Sequence, residues 1–188
     1  RAVEAEKEKA LKINPVLKKA EPEEEVGFVA VAVGSGVNAL FKDLGCNHVI
    51  SGGQTMNPST DEILDAVLAT PAKTGFVLPN NKNIIMAANQ TVDLAKDRKV
   101  VVVPSKTVPQ GISAMLSYDS EKSVNENHEI MSNSMMRVRT GQVTFASRDS
   151  DFGGFKIKEG DILGLDNGKL ILTAKDPITA CEKLVEDI

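Results

Sequence analysis

Phe28-Val29-Ala30-Val31-Ala32-Val33, followed at once by Gly34-Ser35-Gly36, is the stretch that decides the class of fold. A short, nearly continuous apolar run is what a strand buried on both faces requires. Val37, Leu40, Phe41 and Leu44 follow at helical spacing, and Gly45 stops them. The same grammar then repeats. His48-Val49-Ile50 reads as a second strand, and Ser51 to Asn57 as its loop. Pro58 suits the first turn of a helix whose apolar face is Ile63, Leu64, Val67 and Leu68. Gly75 to Leu78 is the third strand, with Pro79-Asn80-Asn81-Lys82-Asn83 after it and a helix carrying Ile84, Ile85, Ala88, Val92 and Leu94. Val100 to Val103 is the fourth, and Pro104-Ser105-Lys106-Thr107 leads into a helix with Ile112, Met115 and Leu116. Strands alternating with helices imply crossover connections and a parallel four-stranded sheet flanked by helices.

Outward from that core the pattern changes. Upstream, residues 1–25 are dominated by charge, from Glu4, Glu6, Lys7, Glu8 and Lys9 to Glu21-Pro22-Glu23-Glu24-Glu25, and read as an interdomain linker. The chain opens on Arg1 rather than Met, as a fragment of a longer polypeptide would. Downstream, Val124, His128, Met131, Met135 and Val138 mark one helical stripe. Gln142 to Ser147, Phe155 to Ile157, Asp161 to Leu165 and Lys169 to Thr173 read as strands, with Asn167-Gly168 a hairpin turn signal. Asp176 as N-cap and Pro177 at the first position open a closing helix. The expected class is α/β: a parallel lobe over 26–118, then a smaller α+β lobe with antiparallel strands over 119–188.

Composition excludes several functions. The 41% hydrophobic and 26% charged residues are those of a globular protein, and a net charge of −4 argues against a nucleic-acid surface. No stretch approaches the roughly 18 to 20 apolar residues of a membrane helix. No apolar signal segment stands at the N-terminus, and Cys46 and Cys181 are too few for a disulfide framework, so a cytoplasmic location is expected.

In a parallel sheet every strand-to-helix loop emerges at the carboxyl edge, where ligands usually bind. Those loops bring Ser35, Gln54, Thr55, Asn57, Asn80, Asn81, Lys82, Asn83, Lys106 and Gln110 to one rim. Lys82 and Lys106 are its positive charges, and helix N-termini add N–H donors, so an anionic or polar ligand, or a partner surface carrying one, would suit it. Turn and cap chemistry alone would also select Gly, Asn, Ser and Thr there. Gly34-Ser35-Gly36 resembles the start of a dinucleotide fingerprint, but Ala39 stands where the third glycine belongs, and no phosphate-binding G-x-x-x-x-G-K-[ST] occurs. Cys46, His48, His128 and Cys181 have no metal-ligand spacing, and no metal site is expected. No catalytic residues are identified: a nucleophile with its base in persuasive context is missing. Arg137, Arg139 and Arg148, with Asp149 and Asp151, form a second charged cluster, read either as surface ion pairs or as a partner-recognition patch.

Four blocks carry a more specific resemblance: Ser51-Gly52-Gly53-Gln54-Thr55-Met56-Asn57-Pro58-Ser59-Thr60, Leu78-Pro79-Asn80-Asn81-Lys82-Asn83-Ile84, Val108-Pro109-Gln110-Gly111-Ile112 and Thr140-Gly141-Gln142-Val143-Thr144. In this order they resemble the C-terminal domain of the fatty acid kinase A family, formerly labelled DAK phosphatase after its dihydroxyacetone-kinase-like N-terminal domain. The resemblance runs from about Val26 to Ile188. It implies a domain that recruits a separate fatty-acid-binding protein, whose bound acyl chain the kinase converts to an acyl phosphate for membrane phospholipid synthesis. It also implies that ATP and magnesium belong to the N-terminal kinase domain of the same polypeptide, with a middle domain between, so no cofactor is expected in this chain. The competing expectation is a stand-alone enzyme or sensor that binds a small phosphorylated ligand at the rim.

Overall fold

The computed structural model describes residues 17–53, 56–152 and 154–187. Its first unit is built on four strands, β1 (Glu24–Ala32), β2 (His48–Ser51), β3 (Ala72–Leu78) and β4 (Lys99–Val102), all parallel and ordered β2-β1-β3-β4. Between and after them run α1 (Ser35–Asp43), α2 (Thr60–Ala69), α3 (Ile85–Leu94), α4 (Val108–Leu116) and α5 (Val124–Met136).

The apolar run of β1 is explained by two cores, one on each face of the sheet. Phe28, Ala30 and Ala32 join Phe41 of α1, Met115 of α4 and Met131 and Met135 of α5 on one side. Val29 and Val31 join Ile63 and Val67 of α2 and Ala88 of α3 on the other. Alternate residues of a strand point to opposite faces, so a strand covered on both sides must be apolar throughout. Phe28 stacks on Phe76 with ring centroids 5.6 Å apart, and Tyr118 meets Phe28 edge-on at 4.9 Å. Ser59 and Glu62 form a reciprocal capping box at the start of α2, and Ser123 and Glu126 do so at α5.

The parallel sheet and the antiparallel strands of the second part match the expected class. Two boundaries differ. The chain divides into compact units Arg1–Arg137 and Val138–Ile188, not after residue 118. The reason is α5: its Met131 and Met135 are buried in the first core, so a helix expected to open the second lobe closes the first. The expected linker also ends earlier than residue 25. Residues 1–16 lie outside the described residues, but β1 already begins at Glu24, and the residues just before it are bonded to the fold.

The second unit holds a three-stranded antiparallel sheet, β5 (Gly141–Phe145), β8 (Ile162–Asp166) and β9 (Lys169–Ala174), ordered β5-β8-β9. A two-stranded pair, β6 (Ser150–Phe152) and β7 (Phe155–Ile157), accompanies it. The sequence pattern gave no sign of a strand at β6. Helix α6 (Pro177–Asp187) packs on β5, β8 and β9, burying Ala180 and Leu184 against Leu172. Asn167 and Gly168 turn the β8–β9 hairpin with φ of 47° and 82°, the conformation a two-residue hairpin loop of this type needs.

Candidate functional site

The strand order gives the rim a centre. From β1 the chain crosses by α1 to β2 on one side, then returns by α2 to β3 on the other. Because parallel crossovers are right-handed, α1 and α2 fall on opposite faces, and the loops leaving β1 and β3 diverge. The crevice where such loops part is where open α/β sheets usually take a small ligand. Here Asn80 fills it.

Asn80 is buried, with φ of 54°. Its Nδ2 donates to the Val31 carbonyl of β1 at 2.9 Å, and its Oδ1 accepts from the Ser105 hydroxyl at 2.7 Å. Its own backbone N–H donates to Ser105 Oγ at 3.0 Å. Ser105 is completely buried. On the remaining side lies Gly111, inside α4, where an added Cβ would sit 2.8 Å from Asn80 Cγ and closer still to Oδ1. One amide thus joins the carboxyl ends of β1 and β3, the loop after β4 and the first turns of α4. Asn81 extends the connection: its Nδ2 donates to the Gly53 carbonyl, and its Oδ1 accepts from the Asn83 N–H at 2.9 Å. Gly53 itself has φ of 124° and Gly34 has φ of 97°, left-handed conformations that favour glycine at both strand-to-loop turns.

The residues expected at the rim therefore separate into two groups. Asn80 and Asn81 are bound up in holding the loops, and Asn80 is not available to a ligand. Gln110 is largely structural as well: its Oε1 accepts from the Lys106 N–H at 2.8 Å while Thr107 caps the same helix turn. Ser35, Asn57, Lys82, Asn83 and Lys106 are exposed. Among the described residues the ammonium groups of Lys82 and Lys106 have no ion-pair or hydrogen-bond partner. Gln54 and Thr55 lie outside the described residues. Two exposed apolar residues that the sequence did not single out, Val33 at 41% and Met56 at 49% exposure, belong to the same loops. Met56 stood in a loop in the sequence, whereas Val33 was read as the end of the buried first strand and instead follows it, exposed, because β1 stops at Ala32. No charged carboxylate stands in the rim loops over residues 33–35, 52–59, 79–84 and 103–107, so their net charge is positive in a chain that is negative as a whole.

Arg137 closes α5 in the first unit, whereas Arg139 and Arg148 belong to the second. Arg139 makes a two-pronged bond to Asp166, from Nε at 3.0 Å and Nη2 at 2.8 Å, which holds the Asp166 carboxyl below its ordinary value. Asp149 accepts from the Glu159 N–H at 2.7 Å. Cys46 is buried beside Met115, and that burial pushes its thiol up to about 12. His128 contacts the Val102 carbonyl through Nε2 at 3.2 Å. No helix among the described residues is long and apolar enough to cross a membrane.

Residues 27–188 match the FakA-like C-terminal family, the C-terminal domain of proteins like fatty acid kinase A. The chain is 46% identical over 162 residues to Protein YloV of Bacillus subtilis (strain 168), covering 86% of this chain and 29% of that protein. It is 38% identical over 164 residues to an uncharacterized protein of Staphylococcus aureus (strain USA300), covering 87% and 30%. The chain thus spans under a third of the length of these curated relatives.

Proposed function

The chain belongs to the family of fatty acid kinase A-like C-terminal domains, and from that membership we propose that it is a docking module rather than a catalytic one. Its partner in this reading is the fatty-acid-binding protein, presented so that the kinase part of the polypeptide can phosphorylate the bound fatty acid to an acyl phosphate. The observation that carries the reading is the Asn80 lock. It occupies the crevice at which this kind of sheet would otherwise hold a small ligand. What remains at the rim is a surface of exposed tips, with Lys82 and Lys106 as cations and Val33 and Met56 as apolar contacts, on loops tied rigidly together. A rigid, mixed surface suits a protein face, because little ordering cost falls on binding. A small phosphorylated ligand would need the crevice that Asn80 fills, which disfavours the stand-alone enzyme or sensor.

The test places Lys82→Ala, Asn83→Ala and Lys106→Ala, singly and together, in the full-length kinase polypeptide. Each lost bond to a charged group should weaken partner binding about tenfold to a hundredfold. Raising the salt concentration should weaken the parent complex more than the triple variant. Melting temperature should not move, since these side chains are exposed loop tips. Unchanged affinity in the triple variant would remove the rim from the docking surface.

A further inference from the structure

The residues immediately before β1 form a second built feature, at the opposite end of the sheet from the rim. Leu17 packs against the core beneath α2 and α3. Lys19 pairs with Asp97 at 2.8 Å. The Ala20 N–H donates to the Leu68 carbonyl at 2.9 Å, and the Ala20 carbonyl accepts from Arg98 Nη2 at 2.8 Å. The Glu24 N–H then donates to the Pro71 carbonyl at 2.8 Å as the sheet begins.

Arg98 is the centre of this arrangement. Its side chain is fully shielded from solvent. Nη1 donates to the Thr70 carbonyl and, at 3.3 Å, to the Val67 carbonyl, both at the end of α2. Nε donates to Asp97 Oδ1 at 3.2 Å, and Nη2 reaches both Asp97 Oδ2 at 3.1 Å and Ala20. A guanidinium offers five donors in a fixed fork, and here that fork spans a helix end, a neighbouring carboxylate and the incoming chain. Burying a cation only to cap one helix would be wasteful of solvation, since helix ends are capped well enough by neutral groups. The additional bond to Ala20 is what a capping role leaves unexplained.

We propose that residues 17–23 are a fixed arm, not a flexible tether, and that Arg98 is the clasp that fastens this arm to the end of α2. β1 covers nine residues, so the arm leaves about 26 Å from the rim, measured along the strand at ~3.3 Å per residue. The arm thereby begins at the end of the sheet opposite the surface that the loops present.

The test is a distance distribution in the 188-residue chain by pulsed dipolar spectroscopy. Spin labels are attached at Lys18→Cys and Asp65→Cys, in a Cys181→Ser background that leaves Cys46 buried. A fixed arm gives one narrow peak. Arg98→Lys keeps the charge but loses the fork, and should broaden the peak while the Ala20 amide exchanges with solvent at least about tenfold faster. Since Arg98→Lys also disturbs the end of α2, Ala20→Pro serves as the second variant: it removes the arm's N–H to Leu68 and restricts the backbone at residues 19 and 20, leaves the Arg98 bonds to α2 in place, and should broaden the peak with the sheet amides still protected. A broad distribution in the parent overturns the proposal. So does a narrow one that survives both substitutions.

Discussion

Gly111→Ala should change the sign of its effect depending on what stands at position 80. In a helix interior, alanine is favoured over glycine by about 1 kcal/mol. In the parent chain that gain is overrun, because the new methyl would press into the Asn80 amide, whose Cγ lies 2.8 Å from the site of the added Cβ. Asn80 has no room to retreat while it holds Val31 and Ser105. Overpacking of this kind costs about 1 to 3 kcal/mol. Asn80→Gly removes the obstruction, and its φ of 54° suits glycine. Alone, that change should cost about 3 kcal/mol, from two lost side-chain bonds and a fully buried Ser105 hydroxyl left without its acceptor. In the Asn80→Gly background, Gly111→Ala should then be neutral or stabilising by up to about 1 kcal/mol, giving a coupling of about 1 to 3 kcal/mol, the overpacking cost removed. Urea unfolding followed by tyrosine fluorescence measures the cycle cleanly. Tyr118 is the single tyrosine and the chain has no tryptophan, so the signal reports the first unit, where Tyr118 packs on Phe28. Effects that add within about 0.5 kcal/mol would refute the lock.

A thiol reagent at pH 8 should modify one cysteine rapidly, Cys181, which is exposed. The second should react only in denaturant, because burial holds the Cys46 thiol protonated with a value of about 12. Two fast thiols would mean the first core is open. Asp97 should set part of the acid limb of stability. Hydrogen bonds from Arg98 and then Lys19 hold its carboxyl well below the usual carboxylate range in the folded chain. That stabilisation is complete above the unfolded value of about 4 and is lost as pH falls below it. Asp97→Asn should therefore flatten the fall in stability between about pH 5 and pH 2, and an unchanged acid limb would show that the ion pairs contribute nothing.

The first unit was legible because burial on both faces writes itself directly into sequence. Phe28 to Val33 could be assigned with no knowledge of its neighbours, since its residues alternate between one core and the other until the strand end. The role of Asn80 was not legible. A buried asparagine with positive φ and an exposed loop asparagine share the same neighbours in sequence, and what distinguishes them is Ser105 and Gly111, placed against it only by strand order. The one visible hint was Gly111, a glycine within a helix, which usually means close approach by something. The unit boundary was misjudged for a related reason: the stripe of Met131 and Met135 announces a helix but not the sheet it covers. Charge proved the least informative signal. Lys19, within a stretch read as linker, turned out to be paired, and Arg139, within the charged cluster, pairs with Asp166 at the end of β8.

The strand order also has a consequence for how the chain comes off the ribosome. β1 is the second strand in the sheet yet the first to be made, and its longest partner, β3, pairs Glu24 with Ala72 and Ala30 with Leu78. Those partners arrive about 48 residues later, or about 2 to 10 seconds at ordinary rates of synthesis. For that interval Phe28 to Val33 is an apolar, β-prone segment that has at most the short β2 to pair with, the kind of window through which nascent chains associate wrongly. Immediately ahead of it stand Glu21, Pro22, Glu23, Glu24 and Glu25. Four carboxylates repel a second copy of the same segment, and a proline denies it one backbone donor. An acidic run so placed would guard the nascent strand, and neutralising it should lower the yield of folded chain during synthesis while leaving the stability of the finished protein nearly unchanged.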